Sequence, residues 1–453
     1  MSDIQNQKLR LAQDAFFRTN DDGDAILLKT DKSKVYNFTG SASYILNFFK
    51  TDYRSFTELL SEVHKDFQGI TEENLQSIEC LIETLLDEEI LIRKNVLTAD
   101  LAPSIIFSEG MFYSANSLSH CSFELTYKCN EKCRYCYCGE DDRDELRTEE
   151  IKDILDQLYE MNVLELTFTG GDPFIRRDTF EIMEYAYKKG FAFNIFTNGL
   201  ALSDSDLLRI KAIHPKSIHF SIHSHIPEKH DAFTQVSGSF EKTVSTIRKC
   251  VLIGLPTNIK FTVTTHNIDD VDGVLSLAEE LNTTIQVSTE VFAKNDGDAS
   301  TLNYSVRDTE AMMKVYALEK RHILTKCSEG ISGLKSYDED GRPCGAGDHA
   351  INITPYGEVN VCNALQISIG DVRKQKISDI WNNSEELKQI RKIRWSDIGE
   401  CGECENRELC NFCIGNAYTQ HDGQLKKYEN ACFSTETRIL YNKSRKEIEN
   451  CDI

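Results

Sequence analysis

Cys129, Cys133 and Cys136 stand in the run Cys129-Asn-Glu-Lys-Cys133-Arg-Tyr-Cys136, a Cys-x3-Cys-x2-Cys spacing. Three thiolates this close together can hold three irons of a four-iron cluster and leave the fourth iron without a protein ligand. An iron with an open position is a place for chemistry, whereas a four-cysteine cage mainly stores or passes electrons. The rival reading is a structural zinc knuckle, which wants four ligands and would have to recruit Cys138 or Cys121.

The cysteine run directly follows a candidate strand, Phe123-Glu-Leu-Thr-Tyr. Five more candidates follow: Glu165-Leu-Thr-Phe-Thr, Phe193-Asn-Ile-Phe-Thr, Ser217-Ile-His-Phe-Ser-Ile, Ile259-Lys-Phe-Thr-Val-Thr and Thr284-Ile-Gln-Val-Ser-Thr. Helical patterns near 149–161, 178–189, 203–213, 240–253 and 270–282 separate them. This rhythm predicts βαβ units and a parallel sheet, open or curled into a partial barrel. Ligands bind such sheets at the carboxyl ends of the strands, where the cysteine run lies. Residues 300–453 read as irregular, with a second cysteine group.

Upstream, Ala15-Phe-Phe-Arg-Thr, Ala25-Ile-Leu-Leu-Lys-Thr and Lys34-Val-Tyr-Asn-Phe-Thr predict three strands, the first two joined by a turn at Asp21-Asp-Gly-Asp24. Helices are expected over Ser41 to Phe49, Phe56 to Phe67 and Glu73 to Glu88. A three-stranded sheet followed by three helices is a winged-helix-like module. The expected boundaries are 1–95 for this module, 96–118 for a bridging segment that includes Ile105-Ile-Phe, 119–300 for the α/β core and 301–453 for the cysteine-rich end.

Sixteen cysteines in a chain without a signal peptide or a membrane-length apolar run read as metal ligands or catalytic thiols in a reducing cytoplasm. Cys80 and Cys250 are expected as buried core filler on helices. The net charge of -22, from 51 basic and 73 acidic residues, argues against nucleic-acid binding, which needs a positive footprint. It suits a basic or neutral peptide, or simply a solvated acidic surface.

These residues resemble those of the radical S-adenosylmethionine (radical SAM) enzymes. Cys129, Cys133 and Cys136 match the cluster ligands, and Tyr135 matches the aromatic residue that packs beside the adenine. Gly170-Gly171-Asp172-Pro173 stands where the family has a Gly-Gly-Glu-Pro-like segment that pairs with the methionine amino group, with Asp172 replacing the commoner Glu. Thr197-Asn198-Gly199 and Ser221 stand where family members contact ribose or methionine. The resemblance implies a partial (β/α)6 TIM-like barrel and a 5′-deoxyadenosyl radical that abstracts a substrate hydrogen. His230-Asp231 and Gly238-Ser-Phe also follow the family pattern. His223 stands where an Asp is common, and Thr234-Gln235 replaces a frequent Arg-Gly; both departures are expected on the substrate side of the barrel.

The C-terminal pattern, Cys344-x12-Gly357-x4-Cys362 and then Cys401-x2-Cys404-x5-Cys410-x2-Cys413-x18-Cys432, is similar to the SPASM extension of radical SAM peptide maturases. The resemblance implies an outer cluster on Cys401, Cys404, Cys410 and Cys432 and an inner one on Cys344, Cys362 and Cys413, hence three [4Fe-4S] clusters in all. The inner set is one ligand short: Cys327 is a candidate, and the alternative is an open iron that binds a substrate thiolate. Two zinc ribbons are the competing structural reading.

The run Ile353-Thr-Pro-Tyr-Gly-Glu-Val-Asn-Val-Cys362 resembles that of sactipeptide maturases, and the N-terminal module resembles PqqD-like elements that bind leader peptides by strand addition. The implied activity is thioether formation in a ribosomally made precursor peptide, with S-adenosylmethionine as cofactor and a flavodoxin or ferredoxin as electron donor. Carbon–carbon crosslinking, epimerisation or side-chain oxidation are alternatives, and a zinc-containing leader-binding chaperone is another of a different class.

Overall fold

The computed structural model describes residues 7–19, 24–30, 34–38, 41–94, 117–139, 143–326 and 341–451. The expected turn at 21–23, most of the bridging segment with Ile105-Ile-Phe, and Cys327 lie outside the described residues.

The N-terminal compact unit contains β1 (Lys8–Leu11), β2 (Ala15–Thr19), β3 (Ala25–Lys29), β4 (Lys34–Phe38), α1 (Ser41–Phe48), β5 (Arg54–Ser55), α2 (Phe56–Asp66), α3 (Glu72–Asp87) and β6 (Leu91–Arg93). The expected antiparallel β2-β3-β4 sheet is present, with a second small sheet ordered β5-β1-β6. Those three strands are two to four residues long, too short for an alternating pattern to announce them. Ser55 and Glu58 close a capping box on α2, and Thr71 and Asn74 close one on α3, which explains where both helices start. Leu9, Phe17, Leu27, Leu46, Leu59 and Ile82 share one buried core. Cys80 is exposed, contrary to expectation: α3 turns Ile82 and Leu85 inward instead.

The second unit is organised on one nine-stranded sheet. Its strands are β7 (His120–Thr126), β8 (Glu165–Gly170), β9 (Ala192–Thr197), β10 (Ser217–Ser221), β11 (Thr257–Thr262), β12 (Thr284–Ser288), β13 (Ala350–Ile353), β14 (Glu358–Cys362) and β15 (Leu365–Asp371). The order is β12-β11-β10-β9-β8-β7-β13-β14-β15. Strands β7 to β12 are parallel and are separated by α4 (Thr148–Glu160), α5 (Thr179–Lys188), α6 (Asp204–Ala212), α7 (Pro227–Thr234), α8 (Ser239–Leu252) and α9 (Val271–Glu280). Helix α7 has no counterpart in the sequence reading; Asp231 within it accepts hydrogen bonds from Gly238 N, Ser239 Oγ and Phe240 N at 2.6, 2.9 and 2.9 Å and starts α8.

The described residues after 300 are not irregular. They form α10 (Thr309–Lys326), the β13–β15 extension, α11 (Ile377–Asn383), α12 (Glu385–Lys392), α13 (Ile414–Gln420) and α14 (Glu429–Cys451). Strand β13 pairs parallel with β7, Ile353 opposite Phe123, so the sheet runs on into the cysteine-rich end. A four-residue strand whose partner lies about 230 positions earlier leaves no local signature. No helix among the described residues is long and apolar enough to cross a membrane.

Alternation along the strands buries Phe193, Ile195, Ile218, Phe220, Ile259 and Phe261 on one face. The other face is polar: Ser217 bonds Asn194 and His219, and Asn258 bonds Thr284. Lys260 points into this layer, its ammonium 5.0 Å from the Phe196 ring centroid and bonded to Gln286 Oε1. Burial lowers its pKa from 10.5 to about 8. The folded protein therefore holds this proton less tightly than the unfolded chain does, a penalty present in full below about pH 8 and gone above 10.5. Lys260→Met should raise stability at pH 7 by about 1–3 kcal/mol, and the gain should shrink as pH rises from about 8 to 10.5. Matching denaturation midpoints for variant and parent at pH 7 would contradict this.

Candidate active site at the cysteine loop

The cysteine loop leaves β7 and is held at its stem by the end of β8. Gly171 N donates to Thr126 O at 2.8 Å and Asp172 N to Lys128 O at 3.0 Å. The approach is so close that a Cβ on Gly170, where φ is +125°, would lie 2.2 Å from Thr126 O. One on Gly171 would lie 2.4 Å from Lys128 O. The two glycines admit the backbone of the cysteine loop at this short distance.

The Asp172 carboxylate, expected to meet the methionine amino group, is turned inward and fully buried. It accepts from Phe174 N at 2.9 Å, Thr197 Oγ1 at 2.7 Å and Asn198 N at 2.8 Å. Burial pushes its pKa up, and the three donors pull it back. The acid thereby ties the end of β8 to the end of β9 and positions Asn198. The Asn198 side chain donates to Asn130 Oδ1 at 2.6 Å and to Cys129 Sγ at 3.6 Å. Glu131 N also donates to Cys129 Sγ, at 3.4 Å.

On its other side the loop is clamped by the end of α7. Lys132 N donates to Thr234 O at 2.9 Å, Arg134 Nε to Ala232 O at 3.1 Å, and the Gln235 side chain to Lys132 O. Gln235 itself sits at φ +60°, a left-handed position where Gly is the usual residue. Tyr135 lies in an aromatic group, with ring centroids 5.1 Å from Phe233 and 5.5 Å from His223. His223 faces the cysteine loop: Nε2 is 3.7 Å from Cys133 Sγ and Nδ1 is 3.4 Å from Tyr135 OH. The sequence showed that this position departs from the family pattern but not what it touches. Ser221 ends β10 next to Lys260 in register.

Cys129 and Cys133, partly shielded by the surrounding protein, favour their neutral forms. Burial pushes Cys129 up to about 12 and Cys133 well above its ordinary value. Cys136 is lowered to about 7 by a hydrogen bond from Cys138. Glu131 is raised to about 7 by burial. Metal binding at such thiols releases their protons.

The residues present fit a four-iron cluster. Three thiols share one clamped loop, and two N–H groups aim at Cys129 Sγ, the kind of hydrogen bond that supports a ligating sulfur. The ligand atoms of Glu131, Cys133 and His223 lie within 4.8 Å of one another. At the C-terminal end, Cys401, Cys404, Cys410 and Cys432 line one cavity with Trp395, Phe412 and Tyr428. Cys413 lies in the electrostatic range of Cys344 and Cys362, and its Sγ accepts from Asn416 N at 3.4 Å. Cys401, Cys404, Cys410 and Cys432 thus share one cavity, and Cys413 lies near Cys344 and Cys362.

Residues 123–278 match the family model of the Radical SAM superfamily, and residues 344–405 match that of an iron–sulfur cluster-binding domain, SPASM. The chain carries a radical SAM domain and a SPASM domain. The AdoMet-dependent heme synthase of Methanosarcina barkeri is 27% identical over 329 residues, 68% of this chain and 94% of that protein. The Bacillus subtilis protein AlbA, of antilisterial bacteriocin subtilosin biosynthesis, is 27% identical over 302 residues, 65% of this chain and 66% of its own length. Streptococcus suis SuiB bound to S-adenosylmethionine shares the fold, with a TM-score of 0.61 at 14% identity over 93% of this chain and 99% of that one. A radical SAM domain takes a [4Fe-4S] cluster and S-adenosylmethionine, which together supply a carbon radical that abstracts hydrogen. The residues around the cysteine loop hold it and orient its sulfurs.

Gly171→Ala should displace the stem of this loop. The expected cost is about 1–3 kcal/mol of stability, together with loss of S-adenosylmethionine cleavage, while the iron held by the C-terminal cysteines remains. A variant with parental iron content and parental cofactor cleavage would show that the close approach is dispensable.

Proposed function

We propose that this protein modifies a ribosomally made precursor peptide, and that the modification is a thioether bond from a cysteine sulfur to a carbon of the same peptide. The reading is carried by the placement of the inner cysteine group. Asn416, whose N–H meets Cys413 Sγ, also reaches Glu290 Oε2 at 3.3 Å and Val291 O at 3.5 Å. Both lie just beyond β12, at the carboxyl ends of the parallel strands, the end from which the cysteine loop after β7 projects. Ligands bind such sheets at this end, so a peptide held there has the radical-generating loop on one side and an iron–sulfur site on the other. An inner cluster with three protein ligands, Cys344, Cys362 and Cys413, offers a position for the substrate thiolate; Cys327 is the residue that would close it.

The relatives support a peptide substrate. AlbA belongs to subtilosin biosynthesis, PqqA peptide cyclases of Xanthomonas are 26–27% identical over 297 residues, and SuiB has been solved with its precursor peptide SuiA. The heme synthases favour a small-molecule substrate instead; their matches, like those of AlbA and the PqqA peptide cyclases, leave about a third of this chain without a counterpart. The N-terminal unit is additional machinery in our reading. Its short sheet would accept a leader peptide as an added strand, with recognition by main-chain hydrogen bonds. A flavodoxin or ferredoxin would deliver the electrons, and the setting would be cytoplasmic.

Incubating the reduced enzyme with S-adenosylmethionine and the peptide encoded beside its gene tests this directly. Each thioether removes one thiol hydrogen and one carbon hydrogen, so the peptide should lose about 2 Da per bond together with one alkylatable thiol. The same mass loss with every thiol intact would favour a carbon–carbon crosslink. Replacing Cys129, Cys133 and Cys136 together by Ala should abolish 5′-deoxyadenosine formation and leave the C-terminal clusters in place. Continued cofactor cleavage in that variant would refute the assignment of the loop.

A further inference from the structure

His223 is neither a cluster ligand nor a cofactor contact in the readings above, yet it is built firmly against a cluster cysteine. It lies just past β10 and is buried. Its backbone is held from both sides: the N–H donates to His230 Nδ1 at 3.2 Å, and the carbonyl accepts from Asn267 Nδ2 at 2.9 Å. The imidazole stacks on Phe233, with centroids 4.7 Å apart and planes 25° apart. With the ring fixed in this way, Nε2 meets Cys133 Sγ at 3.7 Å and Nδ1 meets Tyr135 OH at 3.4 Å.

A sulfur bound to iron is a thiolate and has no proton to offer. The proton in the contact with Cys133 must then sit on Nε2, which leaves Nδ1 to accept from the Tyr135 hydroxyl. We propose that His223, held in this tautomer by Tyr135, donates a hydrogen bond to Cys133 Sγ and raises the reduction potential of the cluster on the cysteine loop. Reduction adds negative charge that spreads onto the sulfurs, and a donor aimed at one of them stabilises the reduced state more than the oxidised one. Glu131 Oε2 lies 3.3 Å from the same sulfur. His223 is thus a positioning residue for the cluster's electrons, and the inference requires only that the cysteine loop hold a cluster, whatever the substrate.

Redox titration of the anaerobically reconstituted full-length enzyme tests this. The cluster is followed by electron paramagnetic resonance through the signal that changes when S-adenosylmethionine is added. His223→Phe keeps the stack on Phe233 and removes the donor, whereas His223→Gln keeps an N–H. At a fixed potential the reduced-to-oxidised ratio should fall about tenfold in His223→Phe, equivalent to 59 mV for one electron. His223→Gln should recover part of that loss, and Tyr135→Phe should shift the potential less, in the same direction. An unchanged potential in a fully loaded His223→Phe enzyme would overturn the proposal. Loss of the cluster from both His223 variants would do so as well, by making the residue part of the cage itself. A parent enzyme with no cofactor-responsive cluster would refute the cysteine-loop assignment instead.

Discussion

The close approach of Gly170-Gly171 to Thr126–Lys128 is the contact on which the rest of the site depends. Two strand ends can lie this near only where no Cβ intervenes, and the resulting backbone hydrogen bonds fix the stem of the cysteine loop. Asp172 is then carried inward, where its three donors join β8 to β9 and set Asn198 against Cys129. The loop cannot be oriented independently of the sheet. Its sulfurs are placed by backbone geometry first and by side chains second.

A second buried acid joins the two cysteine-bearing regions of the sheet. Glu124 on β7 accepts from Tyr127 OH at 2.9 Å, Tyr137 OH at 2.8 Å and Asn352 Nδ2 at 2.9 Å. Tyr137 immediately follows the third cysteine, and Asn352 lies on β13, the strand that begins the C-terminal extension. A carboxyl sealed from water needs every one of those donors. The radical SAM and SPASM regions therefore share a polar network as well as a sheet, and the loop's far end is anchored through it.

Much of this was legible in the sequence because it is local. The six parallel strands and their helices carry their own periodicity, and three cysteines at short spacing share one loop whatever the surroundings. Most departures from the expected picture involve partners distant in the chain. Asp172 and the two glycines have the positions that the family resemblance implied, and their protein contacts lie on the neighbouring strand ends. Cys80 and Cys250 carry similar patterns, yet only Cys250 is buried, since which side of a helix meets a core is decided by the neighbours it packs against. The residues after 300 looked irregular because β13 is four residues long and finds its partner across most of the second unit.

The sequence by itself determined the chemistry available: which residues are thiols, how they are spaced, and that a βα rhythm would deliver the first three to a strand's carboxyl end. Only the tertiary structure decided how those thiols are addressed. It turned His223 toward Cys133, set α7 as a clamp on the loop, and brought Cys413 to the end of β12. Spacing along a chain constrains what a few neighbouring residues can reach. The electrostatics of a buried sulfur depend on which donors and acids fold against it, and those come from strands and helices that no local pattern pairs.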